Sequence, residues 1–96
     1  MKPATKKCFW IADVSNSWTK LAQVSRDQLG RVIRIPTPDL IVEVIRQLSR
    51  EKAHGLPLIL GSVVPRKTAL FERHWQDDVF VDTGTASIGV AIDYPS

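Results

Sequence analysis

The first apolar stretch of the chain is followed directly by a polar segment, residues 13–20, with the sequence DVSNSWTK. In this segment the carboxylate of Asp13 can hold a hydrated Mg²⁺ ion, and Lys20 supplies a positive charge. Asn16, Ser17 and the backbone amides of the turn can donate hydrogen bonds to phosphate oxygens. The segment therefore predicts a phosphate-binding turn, although the same pattern is also typical of an ordinary polar hairpin.

A strand on each side is needed to hold the side chains of this turn in position. Residues 8–14 and 18–24 have the apolar content of two such strands, and the alternation in residues 31–35 predicts a third. The segment 27–30, with the sequence DQLG, reads as the turn between the second strand and the third. Three strands joined by short turns predict an antiparallel meander.

The spacing of the apolar residues changes after the third strand, which predicts a helix. Thr37 is suited to the N-cap, Pro38 to the first helical position and Asp39 to the first turn. Apolar residues then recur at helical spacing as far as residue 48, and Gly55 is a natural end to the helix.

The remaining elements alternate between strand and helix. The wholly apolar run 58–60 predicts a central strand that is covered on both faces. A second helix is predicted over 67–75, a fifth strand over 79–81 and a sixth within 87–94. Up to residue 81 the order is βββαβαβ, which predicts an α/β fold with one mixed sheet and helices packed on it, in a single domain that covers residues 1–96.

Composition limits the class of protein. The chain has 96 residues, a hydrophobic fraction of 44%, a formal charge of +3 and one cysteine. No apolar run approaches the roughly 20 residues that cross a bilayer, and no secretory signal is indicated. The basic residues are spread along the chain, which argues against nucleic-acid binding. A single cysteine forms no internal disulfide and fits a reducing compartment, so we expect a cytoplasmic protein without a nucleic-acid or membrane partner.

Three short motifs, in this order, resemble the N-terminal part of the type III pantothenate kinases, a family of the actin-like kinase superfamily. Residues 13–20 are similar to the family's phosphate loop, D-x-G-N-[ST]-x-x-K. Residues 62–65 match its S-V-V-P turn, and residues 92–95 are similar to its Y-[DP]-x-P stretch. The resemblance implies a ribonuclease-H-like half domain, the fold of the actin-like ATPases, and it covers nearly the whole chain.

The resemblance also implies an activity and a set of site residues. Members of the family use ATP and Mg²⁺ to phosphorylate pantothenate in the first step of coenzyme A biosynthesis, and a monovalent cation is a further expected cofactor. By analogy, Asp13 positions Mg²⁺, Tyr94 lines the pantothenate pocket, and Asn16, Ser17 and Lys20 contact the ATP phosphates. A homodimer is expected.

The family's general base is an aspartate that would lie beyond Ser96, and family members carry a second actin-like domain. We therefore expect this chain to correspond to an N-terminal fragment that has no kinase activity by itself. Inside the phosphate loop, Ser15 stands where the family has glycine, and its side chain narrows the space for a phosphate. A non-catalytic interaction module with the same fold is the alternative.

Two further expectations concern the second half of the chain. Residues 81–86, VDTGTA, resemble the second phosphate motif of actin-like kinases, but their place in the order favours a structural turn. In a half domain, strand edges and apolar surface would stay exposed. The expected exposed surfaces are the strand 88–92 and the helix that carries Leu70 and Phe71, and they predict association of the chain into dimers or larger species.

Overall fold

The structure, a computed structural model, describes residues 8–26, 28–53 and 55–82. The chain begins with an antiparallel hairpin of β1 (Cys8–Val14) and β2 (Trp18–Ser25), in which Val14 lies opposite Thr19. Two short strands, β3 (Gln28–Leu29) and β4 (Ile33–Pro36), pair with the other edge of β2. This part is the predicted meander.

The second half of the described chain crosses over twice to extend the sheet. A 3₁₀ turn (Thr37–Asp39) leads to helix α1 (Val42–Leu48), which continues into a π-helical turn (Ser49–Ala53). Strand β5 (Leu58–Ser62) then pairs in parallel with β1. Helix α2 (Pro65–His74) returns the chain to β6 (Val79–Val81), which pairs in parallel with β5. The sheet order is β3-β2-β1-β5-β6, with β4 beside β3 on the same edge of β2.

The core lies between the sheet and the two helices. Alternate residues of the strands face the helices. Trp10, Leu21 and Leu58 are among them, and they belong to the same buried cluster as Ile45 and Phe71 of the helices. The opposite face of the sheet carries a smaller cluster around Ile11 and Ala22. In the described residues no helix is long and apolar enough to cross a membrane.

The prediction of one unbroken third strand was wrong. Gln28 lies opposite Ser25, and Ile33 lies opposite Leu21, so residues 30–32 face only the two residues 22 and 23 of β2. The one extra residue between β3 and β4 forms a β-bulge, in which the amide of Gly30 donates to the Gln23 carbonyl at 2.8 Å. The predicted turn at 27–30 is wrong for the same reason, because Gln28–Leu29 is already paired with β2.

The predicted start of the first helix was also wrong. Thr37 and Pro38 begin the 3₁₀ turn rather than an α-helix, and Leu40 leaves that turn in an extended conformation. α1 begins only at Val42, and no side chain caps it. The helix is delayed because Leu40 is drawn into the core, where its side chain is fully buried. Gly55, at a φ of 81°, follows the π-helical turn, which confirms the predicted end.

Burial also corrects the expected exposed surface. Phe71 is fully buried beneath α2, and Leu70 is partly buried, so that helix does not offer the apolar surface predicted for it. Phe80 and Val81 on β6 are exposed instead, because β6 is the last strand of the described sheet. The predicted strand within 87–94 lies outside the described residues.

Candidate functional site

The predicted phosphate-binding segment forms the tight turn between β1 and β2. The amide of Ser15 donates to the Trp18 carbonyl at 3.0 Å, and the Ser15 hydroxyl donates to the same oxygen at 2.8 Å. Asn16 and Ser17 form the exposed tip of this hairpin. Their side chains therefore meet solvent at the point where the sequence predicts contact with phosphate.

Serine at position 15 is accommodated without backbone strain. Arg26 has the one positive φ among the non-glycine residues of the described chain, so Ser15 does not need the left-handed conformation that glycine adopts readily. Its hydroxyl closes the turn by the hydrogen bond to Trp18. The departure from the family's glycine therefore affects the space above the turn rather than its backbone conformation.

Thr37 is hydrogen-bonded to the backbone at both ends of the turn, at Ser15 and at Ser17. Its amide donates to the Ser17 carbonyl at 2.9 Å, and its hydroxyl donates to the Ser15 carbonyl at 2.7 Å. The Thr37 hydroxyl is also 3.0 Å from the hydroxyl of Thr19. Because a hydroxyl has one hydrogen and that of Thr37 is given to Ser15, Thr19 must be the donor in this second bond. Both threonines are buried, which shields the bond between their hydroxyls from water.

A row of charged residues crosses the sheet beside the turn. Asp13 lies directly opposite Lys20 on β2 and, on its other side, next to Gly61 on β5. The amide of Asp82 donates to the Leu60 carbonyl at 2.8 Å, which continues the β5–β6 pairing by one residue and places Asp82 beside Gly61. Residues that face each other across strands share one face of the sheet, so all three charged side chains lie on the face away from the helices.

Gly61 separates the two carboxylates of this row. Two strand spacings put the Cα atoms of Asp13 and Asp82 about 9–10 Å apart, and the residue between them has no side chain. Mg²⁺ in phosphate-transfer sites keeps several water ligands and uses one or two carboxylates together with phosphate oxygens. The side chains present in this row therefore suit a hydrated Mg²⁺ ion.

The S-V-V-P segment forms the corner that leads from β5 into α2. The Val64 amide donates to the Ser62 hydroxyl at 3.0 Å, and this hydroxyl donates to the Val64 carbonyl at 3.1 Å. The amide of Val63 donates to the Val14 carbonyl at 3.0 Å, so the corner is joined to the end of β1. Pro65 then occupies the first turn of α2. The corner and the phosphate turn thus lie at the same edge of the sheet.

The structure brings together most of the residues predicted from the sequence. Asp13 and Lys20 lie side by side on one face, and Asn16 and Ser17 lie at the adjoining turn. Tyr94 lies outside the described residues. Sequence reasoning missed three contributors, Thr19, Thr37 and Asp82. For the threonines the sequence holds no local signal, because their contact joins residues that are 18 positions apart.

Comparison with known proteins finds a curated enzyme that is similar in sequence. The chain is 31% identical, over 87 residues, to a type III pantothenate kinase from Methylacidiphilum infernorum; the match covers 90% of this chain and 31% of that kinase. The chain therefore spans about a third of the length of that relative. No family model matches the chain.

A solved structure shares the fold. The ethanolamine utilization protein EutJ from Carboxydothermus hydrogenoformans aligns with a TM-score of 0.57 and 11% identity, over 85% of this chain and 47% of that one. This likeness confirms the predicted fold class, a ribonuclease-H-like half domain of the actin-like ATPase type. The sequence similarity relates this chain to part of a kinase, and the structural similarity supports the actin-like ATPase fold.

Proposed function

We propose that this chain is the phosphate-binding half of a phosphotransferase similar to the type III pantothenate kinases. The observation that carries the proposal is the register that sets Asp13 beside Lys20, next to the exposed Asn16–Ser17 turn. This group lies at the carboxyl ends of the parallel strands β1 and β5, the edge at which open α/β sheets bind ligands. The similarity to a pantothenate kinase supports pantothenate as the acceptor.

Each residue has a separate task in this proposal. The Asn16 amide and the Ser17 hydroxyl donate hydrogen bonds to the phosphate oxygens of ATP, and Lys20 offsets their negative charge. The Asp13 carboxylate would hold a hydrated Mg²⁺ ion, and Asp82, in the same row of charged residues, would contribute a second carboxylate. When bound, Mg²⁺ neutralises the charge that develops on the transferred phosphoryl group. Tyr94 is proposed to line the pantothenate pocket.

The hydrogen bonds that Thr37 makes to the β1–β2 turn hold the Asn16 and Ser17 donors in a fixed geometry. Phosphoryl transfer depends mainly on positioning and charge neutralisation, so a turn that is held at both ends suits the reaction. Thr37 holds the carbonyls of Ser15 and Ser17 at 2.7 and 2.9 Å. The Asn16 and Ser17 side chains at the tip therefore project from a backbone that is already ordered before ATP binds.

Trp18 provides a direct test of nucleotide binding. Its side chain is 48% exposed and follows the turn, whereas Trp10 and Trp75 are buried. We expect Mg²⁺·ATP to change the tryptophan fluorescence of the 96-residue chain, and Asp13→Asn to abolish the Mg²⁺ dependence of this change. Glu43→Gln, an equivalent loss of charge on the exposed face of α1, should have no effect. Equal responses of the two variants would show that Asp13 is only a hairpin residue.

A coupled assay tests the reaction itself. The 96-residue chain with ATP and pantothenate is expected to give no turnover above the blank. In a whole kinase that contains this chain, Asp13→Asn should lower kcat by about 10²-fold, because a contact to the transferring group is lost. Clear Mg²⁺-dependent phosphorylation by the 96 residues alone would contradict the assignment of the chain as half of the catalytic unit.

A non-catalytic interaction module is the second candidate, and one observation favours it. The Ser15 hydroxyl satisfies the Trp18 carbonyl internally, so the turn is closed by its own side chain and does not need a ligand. This candidate predicts no fluorescence response to Mg²⁺·ATP at millimolar concentration. The two candidates are therefore separated by the same titration.

A further inference from the structure

The face of the sheet opposite to the helices is apolar over most of its length. Its cluster consists of the buried Ile11 and Ala22 and of the partly buried Phe9, Val24, Val32 and Ile59. All the described members of this cluster lie on strands or on the bulge, and none lies on a helix. The register adds two exposed side chains to the same face, because Phe80 lies beside Ile59 and Leu29 lies opposite Val24. Sheets with parallel strands are almost always covered on both faces, so this face is suited to a partner.

The row of charged residues at one end of this face changes sign from one side of the sheet to the other. Arg34 on β4 lies opposite Lys20 on β2, so the row begins with two cations. Asp13 on β1 and Asp82 just after β6 follow, with Gly61 between them. One half of the row is therefore positive and the other half is negative.

This order of charges is self-complementary for two copies of the chain. A twofold axis that lies between two facing sheets and runs parallel to their strands reverses the order of the strands in the second copy. The positive half of each row then faces the negative half of the other row, whereas a partner of uniform charge would meet one half of the row with like charge. The apolar residues lie at the centre of such an interface and the charged rows lie at its rim, as in most protein interfaces.

The dimensions of the face suit a weak, reversible dimer. Five strand positions at a spacing of about 4.8 Å give a width of about 20 Å, and the seven residues of β1 give a length of about 23 Å. Each copy can therefore cover roughly 450 Å², and the two copies together roughly 900 Å², which is near the lower limit for specific interfaces.

We propose that a second copy of the chain covers this face, and that the resulting dimer excludes Mg²⁺·ATP. Facing sheets pack about 10 Å apart, and the side chains of both faces fill the space between them. The proposed nucleotide site uses Asp13 and Asp82 on the same face, so the second copy and the nucleotide compete for one surface. The exclusion of nucleotide rests on the proposed function, whereas the surface of association does not.

Sedimentation equilibrium of the 96-residue chain, at graded concentrations, measures the association. We expect a dimer that dissociates when Mg²⁺·ATP is added, because a ligand that binds only the monomer shifts the equilibrium towards it. At ten times the nucleotide dissociation constant, the apparent dissociation constant of the dimer should rise about a hundredfold, since each of the two monomers binds one nucleotide. Magnesium sulfate at the same ionic strength is the control and should not produce this rise.

A pair of charge reversals tests the surface itself. Arg34 and Asp82 lie at opposite ends of the row, so the twofold axis brings them together. Arg34→Glu should weaken the dimer by about tenfold or more, because like charges then meet, and the further change Asp82→Arg should restore it. Arg73→Glu, an equal change of charge at an exposed position in the last turn of α2, is the matched control and should have no effect.

Three results would overturn the proposal. The first is a chain that stays monomeric at every concentration. The second is a dimer that binds Mg²⁺·ATP without dissociating, because the row would then be open in the dimer. The third is a dimer that Arg34→Glu leaves intact, which would place the contact on another surface. Failure of the proposed function appears separately, as absence of a fluorescence response to Mg²⁺·ATP in Phe80→Lys, which places a charge on the apolar face; that result refutes the exclusion of nucleotide, and the charge reversals still decide the surface.

Discussion

Replacement of Thr37 by valine tests the hydrogen bonds by which this residue holds the turn between β1 and β2. Valine has nearly the shape of threonine, so the change removes the hydroxyl without opening a cavity. Two bonds are lost: the donation to Ser15 at 2.7 Å and the acceptance from Thr19 at 3.0 Å. The first loss is modest, about 1 kcal/mol, because Ser15 is exposed and water can replace the donor. The second leaves the hydroxyl of Thr19, which is 0% exposed, without an acceptor, and this costs about 1–3 kcal/mol.

The expected total is a loss of about 2–4 kcal/mol in the free energy of unfolding, which corresponds to a fall of roughly 10–30 °C in Tm for a domain of this size. Urea unfolding followed by tryptophan fluorescence measures the loss, with an unchanged m-value if the transition stays two-state. Thr68→Val is the matched control, because its half-buried hydroxyl lies 3.4 Å from its nearest acceptor, the Val64 carbonyl. We expect that control to cost less than about 0.5 kcal/mol.

The direction of the Thr19–Thr37 bond gives the test that could refute this reasoning. Thr19→Val removes one bond and leaves the donation from Thr37 to Ser15 intact, so it should cost only about 1 kcal/mol. In the double variant neither hydroxyl is stranded, and its cost should fall below the sum of the single costs by about 1 kcal/mol or more. Equal single costs that add in the double variant would show that the network is not arranged as described.

Two further predictions concern the turn and the edge of the sheet. Ser15→Gly should lower the free energy of unfolding by about 1 kcal/mol, because the hydrogen bond from the Ser15 hydroxyl to the Trp18 carbonyl is lost and glycine is more flexible when unfolded. The same change should strengthen Mg²⁺·ATP binding by opening space above the turn, and weaker nucleotide binding in a titration would contradict this. Light scattering coupled to size exclusion should show a dimer or larger species, and Phe80→Lys should convert it to a monomer, because Phe80 on β6 is 57% exposed. Ile41→Lys, at a position of similar exposure outside the sheet, should not dissociate it, and a monomeric wild-type chain would refute the association.

Local sequence signals predicted the main elements of the fold. The apolar runs before and after the DVSNSWTK segment gave β1 and β2, and the hairpin between them followed from the short polar turn. The apolar run at 58–60 gave the central strand β5. The second helix was predicted over 67–75, and α2 begins two residues earlier, at Pro65. These signals lie within a few consecutive residues, so they can be recognised without knowledge of the tertiary structure.

The site was predictable only in part. Asp13 and Lys20 were found because the two arms of a hairpin bring them together, which a single turn determines. Asp82 was not assigned to the site, because its place beside Gly61 depends on two parallel crossovers that pair β1 with β5 and β5 with β6. Thr37 was interpreted as a helix cap because a threonine before a proline is typical of one. Its hydrogen bonds to the buried Thr19 hydroxyl and to the Ser15 carbonyl make it a clamp instead.

By itself, the sequence determined the residue types available for chemistry and the approximate positions of most strands and helices, because these depend on residue type and on spacing within a few positions. The tertiary structure decided which of them meet. The bulge at residues 30–32 shows the difference most clearly. It shifts the pairing of β4 by one residue and thereby turns Ile33 and Ile35 towards the helices. Without that shift they would face the side of Lys20, because side chains alternate along a strand and register is set by packing between strands.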